Sequence, residues 1–322
     1  MKNTKLIISI LVIAIIIIGA FFVFSPEQEE QKITNVKISD RGLASALPIY
    51  VAIEKGYFEE FGLKPELVKL SSGNDVFNAL TRNELDIGEI PIDPLIFAED
   101  KANTGVKIFL VGKWSQNTNK NFDALFVVKD SSINSLKDLE GKKIGVFPGV
   151  TAKTFLAYYL KERGIDSSKV EFVQLAPNLH LQSLSSGAID ALWAYQPTVT
   201  VAENSDFLKI ENGIYNNLGI NYFAIYSFSG SFSKTDFAED AQKALSKAIR
   251  YMELNEEESR EILSKYTSLG DLSSQMKYFP QYSEPTNIDK EELKDLIEFY
   301  KNEELISNSF NNEKINLIFY NN

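Results

Sequence analysis

The stretch KIGVFPGVTAKTFLAYYLKERGI, Lys143 to Ile165, reads as a short apolar strand, a Pro-Gly turn and a helix stopped at Gly164. VEFVQL (Val170–Leu175) follows as a second strand, APNLH (Ala176–His180) as a turn, and LQSLSSGAIDALW (Leu181–Trp193) as helix running into strand. The segment Val36 to Ala98 has the same order. VKIS is its first strand, LPIYVAIEKGYF a helix with Pro48 in the first turn and Gly56 at the end, and KPELVKL a strand. SSGND is its turn, and VFNALTRNELDIG a helix and a third strand. The second halves register without a gap: Leu80, Leu85 and Asp86 fall 104 positions before Leu184, Ile189 and Asp190. One α/β unit is therefore used twice, and the expectation is two similar lobes.

Strands alternating with helices predict mostly parallel pairing with right-handed crossovers, and ligands beyond the carboxyl ends of the strands. The turns gathered there are Asp40–Ser45, Ser71–Asp75, Glu89–Asp93, Phe147–Thr151, Ala176–His180 and Trp193–Pro197. NFDALFVVKDSS (Asn121–Ser132) and INYFAIYSFSG (Ile220–Gly230) are apolar, strand-like and flanked by polar turns. They read as two extended linkers forming a hinge between the lobes. Lobe 1 is expected over residues 33–121 and 228–322, and lobe 2, with the hinge strands, over 122–227. The charged helices between Asp236 and Leu305 read as solvated exteriors.

Among 322 residues, 44% are apolar and 12% aromatic, enough for a sizeable core. A net charge of −11 with no basic run disfavours nucleic acid and anionic lipid. The absence of cysteine removes disulfides, thiolate nucleophiles and Cys-based metal sites, and the single His180 builds neither a His-rich metal site nor a catalytic triad. No cofactor is expected.

Met1–Lys5 carries two lysines ahead of an apolar run, Leu6–Phe24. At ~1.5 Å per residue its 19 positions come close to the ~30 Å hydrocarbon core, and Ile18 spoils cleavage after Ala20. Residues 1–24 thus read as an N-terminal transmembrane anchor, the rival reading being a cleaved signal, and residues 25–32 as a polar tether. Either way the folded part lies outside the cytoplasm.

PIYVAIEKGYFEEFGLKPELV (Pro48–Val68) resembles the opening signature of the SsuA/THI5-like (NMT1) family, the solute-binding proteins of nitrate, sulfonate and taurine ABC importers. SSGNDVFNALTRNELDIGEIPI, LKDLEGKKIGVFPGVTAKTFLAYYL and AIDALWAYQPTVTVA agree with three later family segments, in the same order. The resemblance implies a periplasmic-binding-protein type II fold with two lobes, a deep cleft and two hinge strands. It also implies a small-molecule ligand and an ABC permease with its ATPase as partner, for a chain expected to be monomeric. The family often has Glu before the proline of the last segment, where this chain has Gln196, and the pyrimidine-binding branch's histidine-bearing and cysteine-rich motifs are absent.

Each candidate contact has a plainer alternative. Thr151 and Ala152 open a helix after the Pro-Gly turn, where unpaired N–H groups and the macrodipole make an anion pocket. The plainer role is N-capping, worth about 1 kcal/mol. Ser71, Ser72 and Asn74 form the equivalent turn of lobe 1, or an ordinary Ser or Asx turn. Trp193 and Tyr195 are aromatic walls or lobe core, and Trp114 is core rather than a contact, the contact reading left open. Gln196 is a hydrogen-bonding partner for the solute. Arg41 pairs with a sulfonate, phosphate or carboxylate, or makes a surface salt bridge. Asp93 and Glu89 repel a bare anion and favour a zwitterion or an amine-bearing solute. Asp86 and Asp190 are turn-forming. Beside solute capture stand thiamine-precursor binding, an enzyme on the same fold that consumes His180, and a sensory ectodomain.

Overall fold

Val36 and Ile38 are fully buried on Thr34–Asp40 (β1), while the alternate residues Asn35 and Lys37 face solvent, the period-two pattern of a strand covered on one face. The computed structural model describes residues 33–113, 122–219, 222–276, 281–283 and 292–320. The predicted anchor Leu6–Phe24, the tether and Trp114 lie outside these. Among the described residues no helix is long and apolar enough to cross a membrane.

After β1 come Leu47–Glu54 (α1), Leu63–Lys69 (β2), Gly73–Thr81 (α2), Ile87–Ile90 (β3), Asp93–Lys101 (α3) and Lys107–Lys113 (β4). Then follow Asp123–Val128 (β5), Lys143–Val146 (β6), Val150–Glu162 (α4), Glu171–Gln174 (β7), His180–Ser185 (α5), Ala191–Tyr195 (β8), Thr198–Glu203 (α6) and Phe207–Asn212 (β9). The chain continues through Tyr222–Phe228 (β10), Phe237–Leu254 (α7), Glu256–Tyr266 (α8), Gln281–Tyr282 (β11) and Glu292–Asn302 (α9).

Two sheets result, β11-β4-β10-β3-β1-β2 and β7-β6-β8-β5-β9. In each, the three strands of the repeated unit pair in parallel: β1 with β2 and β3, and β6 with β7 and β8. Asp86 and Asp190, the matched pair, do one job twice. Asp86 Oδ2 accepts the Lys37 N–H at 2.8 Å, and Asp190 Oδ2 accepts the Lys143 N–H at 2.8 Å. Their own amides bond the same residues' carbonyls. Each ties the start of a third strand to the start of a first, so they are structural, as read from the turns.

The two apolar stretches taken as hinge linkers are sheet members instead. β5 lies antiparallel between β8 and β9, and β10 antiparallel between β3 and β4. Each lobe thus adopts, as the strand beyond its parallel core, the one that immediately follows a crossover. The physical reason is burial: Ala124–Val127 and Ala224–Tyr226 are almost wholly excluded from solvent, and an apolar strand in an open linker forfeits that.

Candidate functional site

A cavity of about 50 Å³ opens between the two sheets' carboxyl-end turns, room for a few waters or one compact solute group. Lobe 1 lines it with Arg41 and Leu43 after β1, Ser45, and Glu89 and Pro91 at the end of β3. Lobe 2 contributes Phe147, Pro148, Thr151 and Ala152 around the start of α4, and Tyr195 and Gln196 after β8. Phe122 and Tyr215 come from the two crossovers.

The walls are largely aromatic. The Phe147 and Tyr195 rings stack at 4.2 Å between centroids, 7° from parallel, and the Tyr195 and Tyr215 hydroxyls meet at 2.8 Å. Burial pushes the phenols of both tyrosines well up, so both stay neutral.

Three features present donors or positive charge. Gly149 precedes α4 with φ +110°, a conformation L side chains rarely adopt, and lets the helix begin at the cavity with Thr151 and Ala152 on its lining. Gln196 is 1% exposed. Its Oε1 accepts the Thr200 Oγ1–H at 2.9 Å and the Thr200 N–H at 3.3 Å, which fixes the amide orientation because a backbone N–H only donates. Its Nε2 is then a buried donor with no partner among the described residues. The third is Arg41, whose Nη2 donates to Glu89 Oε2 at 2.6 Å and Oε1 at 2.8 Å, with Nε at 3.2 Å from Oε2. That fork is the plainer alternative weighed for Arg41, with a buried rather than a surface partner.

Several predicted contacts stand elsewhere. Ser71 and Ser72 both donate to Asp75 Oδ2 at 2.7 Å, and Ser72 caps α2 by accepting the Asp75 N–H. With Asn74, they are absent from the lining; their neighbour Gly73 only backs Pro91. Trp193 is fully buried, its Nε1 donating to Asp123 Oδ2 at 2.8 Å, so it is lobe core. Asp93 sits behind the lining and accepts from the Tyr300 hydroxyl, with Thr151 as a further donor; burial, the larger effect, raises its carboxyl. Ala176–His180 is not in the lining either.

Leu43, Ser45 and Pro91 fall within turns the sequence singled out without being named as contacts, whereas Phe122 and Tyr215 lie outside every such turn. Phe122 and Tyr215 carry no motif; only where the chain passes between lobes marks them. Asp123 was also missed. It is 1% exposed, and its Oδ2 accepts from Trp193 Nε1 and from the Ile214 N–H at 2.8 Å. Burial nonetheless pushes it up to about 7, those donors holding it back. His180 lies behind Phe147, ring centroids 4.7 Å apart, with Nε2 donating to the Leu175 carbonyl at 2.8 Å. Burial lowers its pKa to about 4.

The NMT1/THI5 like family model matches residues 44–259, about two thirds of the chain. A putative aliphatic sulfonates-binding protein of Bacillus subtilis (strain 168) is 24% identical over 230 residues, 70% of this chain and 68% of that protein. A 4-amino-5-hydroxymethyl-2-methylpyrimidine phosphate synthase of Schizosaccharomyces pombe is 24% identical over 144 residues, 45% of this chain and 39% of the enzyme. Other curated relatives are matched over 36–50% of their length. The crystal structure of the periplasmic aliphatic sulphonate binding protein SsuA from Escherichia coli superposes with TM-score 0.68 at 15% identity, covering 89% of this chain and 97% of that one. The two sheets, their strand order and the cleft between them are thus a periplasmic-binding-protein-like arrangement, and the chain belongs to the NMT1/THI5 like family.

Proposed function

We propose that this protein captures a small solute in the interlobe cleft, outside the cytoplasm, and delivers it to an ABC permease driven by its ATPase. The observation that carries the reading is Gln196 Nε2, a buried amide donor with no partner among the described residues, on the wall of a cavity both lobes enclose. A buried unmet donor costs about 1–3 kcal/mol, which a solute acceptor recovers. The start of α4 lines the same space, so the solute's acceptor group belongs there, with Tyr195 and Phe147 against its flat or apolar part. Closure of the lobes is favoured by contacts made only in the closed state.

An enzyme that consumes its own histidine is disfavoured: His180 is held to the Leu175 carbonyl behind Phe147, off the cavity lining. Leu6–Phe24 retains the protein at the membrane as a monomer, which keeps it near the permease at high effective concentration.

The test is thermal unfolding of the full-length chain with taurine, alkanesulfonates, nitrate and hydroxymethylpyrimidine. Mass spectrometry of whatever small molecule co-purifies accompanies it. A bound solute at a hundred times its Kd stabilises by about 2.7 kcal/mol, and a panel that moves nothing while no molecule co-purifies refutes capture.

A further inference from the structure

Resting on the capture reading, we infer that Glu89 is the specificity determinant of the cleft: by occupying the Arg41 guanidinium it makes the cavity electrically neutral, so the solute carries no net charge and monoanions are turned away.

Among the described residues, Arg41 and Glu89 are the only charged ones on the lining. Glu89 is 1% exposed and Arg41 11%, and both carboxylate oxygens of Glu89 are taken up by the same guanidinium edge. Glu89 is fixed in place as well, because its own N–H donates to Ser39 Oγ at 2.9 Å. A monoanion entering this space must either displace a desolvated, bidentate carboxylate or sit beside it uncompensated. Both are costly in a site walled by rings.

The second row deepens the bias. Asp93 stands behind Thr151, and Asp123 behind Trp193, and both act electrostatically on the Tyr195 phenol together with Arg41. Both carboxyl groups thus bear on the same aromatic wall that Arg41 acts on. The neutral donors, Gln196 Nε2 and the α4 amides, still require an acceptor. The combination suits a zwitterion, its acceptor toward α4 and Gln196 and its ammonium toward Glu89, or an uncharged polar molecule. Specificity of this kind is built by leaving the wrong ligand with an unpaired charge.

Taurine and ethanesulfonate share a sulfonate and differ by one ammonium, and they are the probes. Calorimetric titration of the full-length wild-type chain should favour taurine by about tenfold or more. Glu89→Gln frees the guanidinium and should shift the taurine-to-ethanesulfonate preference toward ethanesulfonate by about tenfold or more. Arg41→Gln, which leaves the carboxylate facing aromatic walls, should gain affinity for propylammonium by a comparable factor, and it decides the matter alone if Glu89→Gln fails to fold. Unchanged preference in the folded variants overturns the charge filter. So does wild-type protein that binds ethanesulfonate as well as taurine, or the absence of binding of any probe to any of the three proteins. In that last case, other metabolites that still stabilise the wild type leave the capture reading standing, and silence from the whole panel ends both.

Discussion

Replacing His180 with Gln should uncover a pH dependence of stability that the native protein cancels. His180 has its pKa lowered by burial from 6.5 to about 4, while Asp123 is raised by burial from 3.8 to about 7. For the histidine, the unfolded chain binds the extra proton between pH 6.5 and 4. Its contribution is whole above 6.5 and is lost on acidification, amounting to about 3 kcal/mol at 1.36 kcal/mol per tenfold change in proton affinity. For the carboxyl, the folded chain binds the extra proton. Its contribution is whole below about 3.8 and lost as pH rises to about 7, amounting to about 4 kcal/mol. Between pH 4 and 6.5 the two slopes oppose and nearly cancel. His180→Gln keeps an amide donor for the Leu175 carbonyl but has no proton to bind, so Asp123 is left unopposed. Relative to wild type, the variant should gain about 3 kcal/mol on going from pH 6.5 to 4, and Asp123→Asn should lose a similar amount over the same range. Urea unfolding of full-length protein at a series of pH values supplies the numbers. Surface carboxylates titrate alike in all three proteins and drop out of the differences. Parallel curves for wild type and His180→Gln would refute the assignment of a buried neutral histidine.

Three further outcomes are expected. Gln196→Glu keeps the oxygen that holds Thr200 but removes the donor from the cavity; calorimetry should show weaker capture of the solute found in the panel, by about 1–3 kcal/mol, and unchanged affinity would detach Gln196 from the ligand. Gly145→Ala sets a methyl 2.5 Å from Ile189 Cδ1 inside the second sheet's packing, which should cost about 1–3 kcal/mol in a urea titration; a neutral result would mean that the Ile189 side chain yields freely. Tyr300→Phe takes from buried Asp93 its hydroxyl donor and should destabilise by about 1–3 kcal/mol, leaving Thr151 as the remaining side-chain partner; an unaffected unfolding midpoint would show that this bond carries nothing.

The doubled unit was legible because its signals are local: apolar strands, Gly and Pro at turns, and one aspartate at the same step of each third strand. What failed was non-local. β5 and β10 have the apolar, extended look of linkers, and only the partner strands decide that they are inserted antiparallel. Ser71 and Ser72 look like ligand donors, yet Asp75, four and three residues on, consumes both hydroxyls. Trp193 and Tyr195 share a strand face at a spacing of two, and the strand's end falls between their roles. Tyr195 reaches the cavity, while Trp193, one step deeper, is core. Four of the six turns singled out do line the cleft, because parallel strands bring their carboxyl ends to one side whatever the side chains are.

The crossovers do more than connect. Asp123 Oδ2 binds Trp193 of β8 and the Ile214 amide, the Asp123 carbonyl accepts the Gly213 N–H at 2.9 Å, and the Phe122 carbonyl accepts the Gln196 N–H at 2.8 Å. Phe122, Tyr195, Gln196 and Tyr215 are therefore stitched into a single wall belonging to lobe 2. If capture proceeds by closure, that wall travels as a unit, and Arg41 and Glu89, locked to each other on lobe 1, form the opposing jaw. Because the wall's donors are neutral and the jaw's charges are mutually satisfied, the two faces meet without a net electrostatic pull. The decision to close then falls to whatever solute pairs the Gln196 amide and the α4 terminus at once.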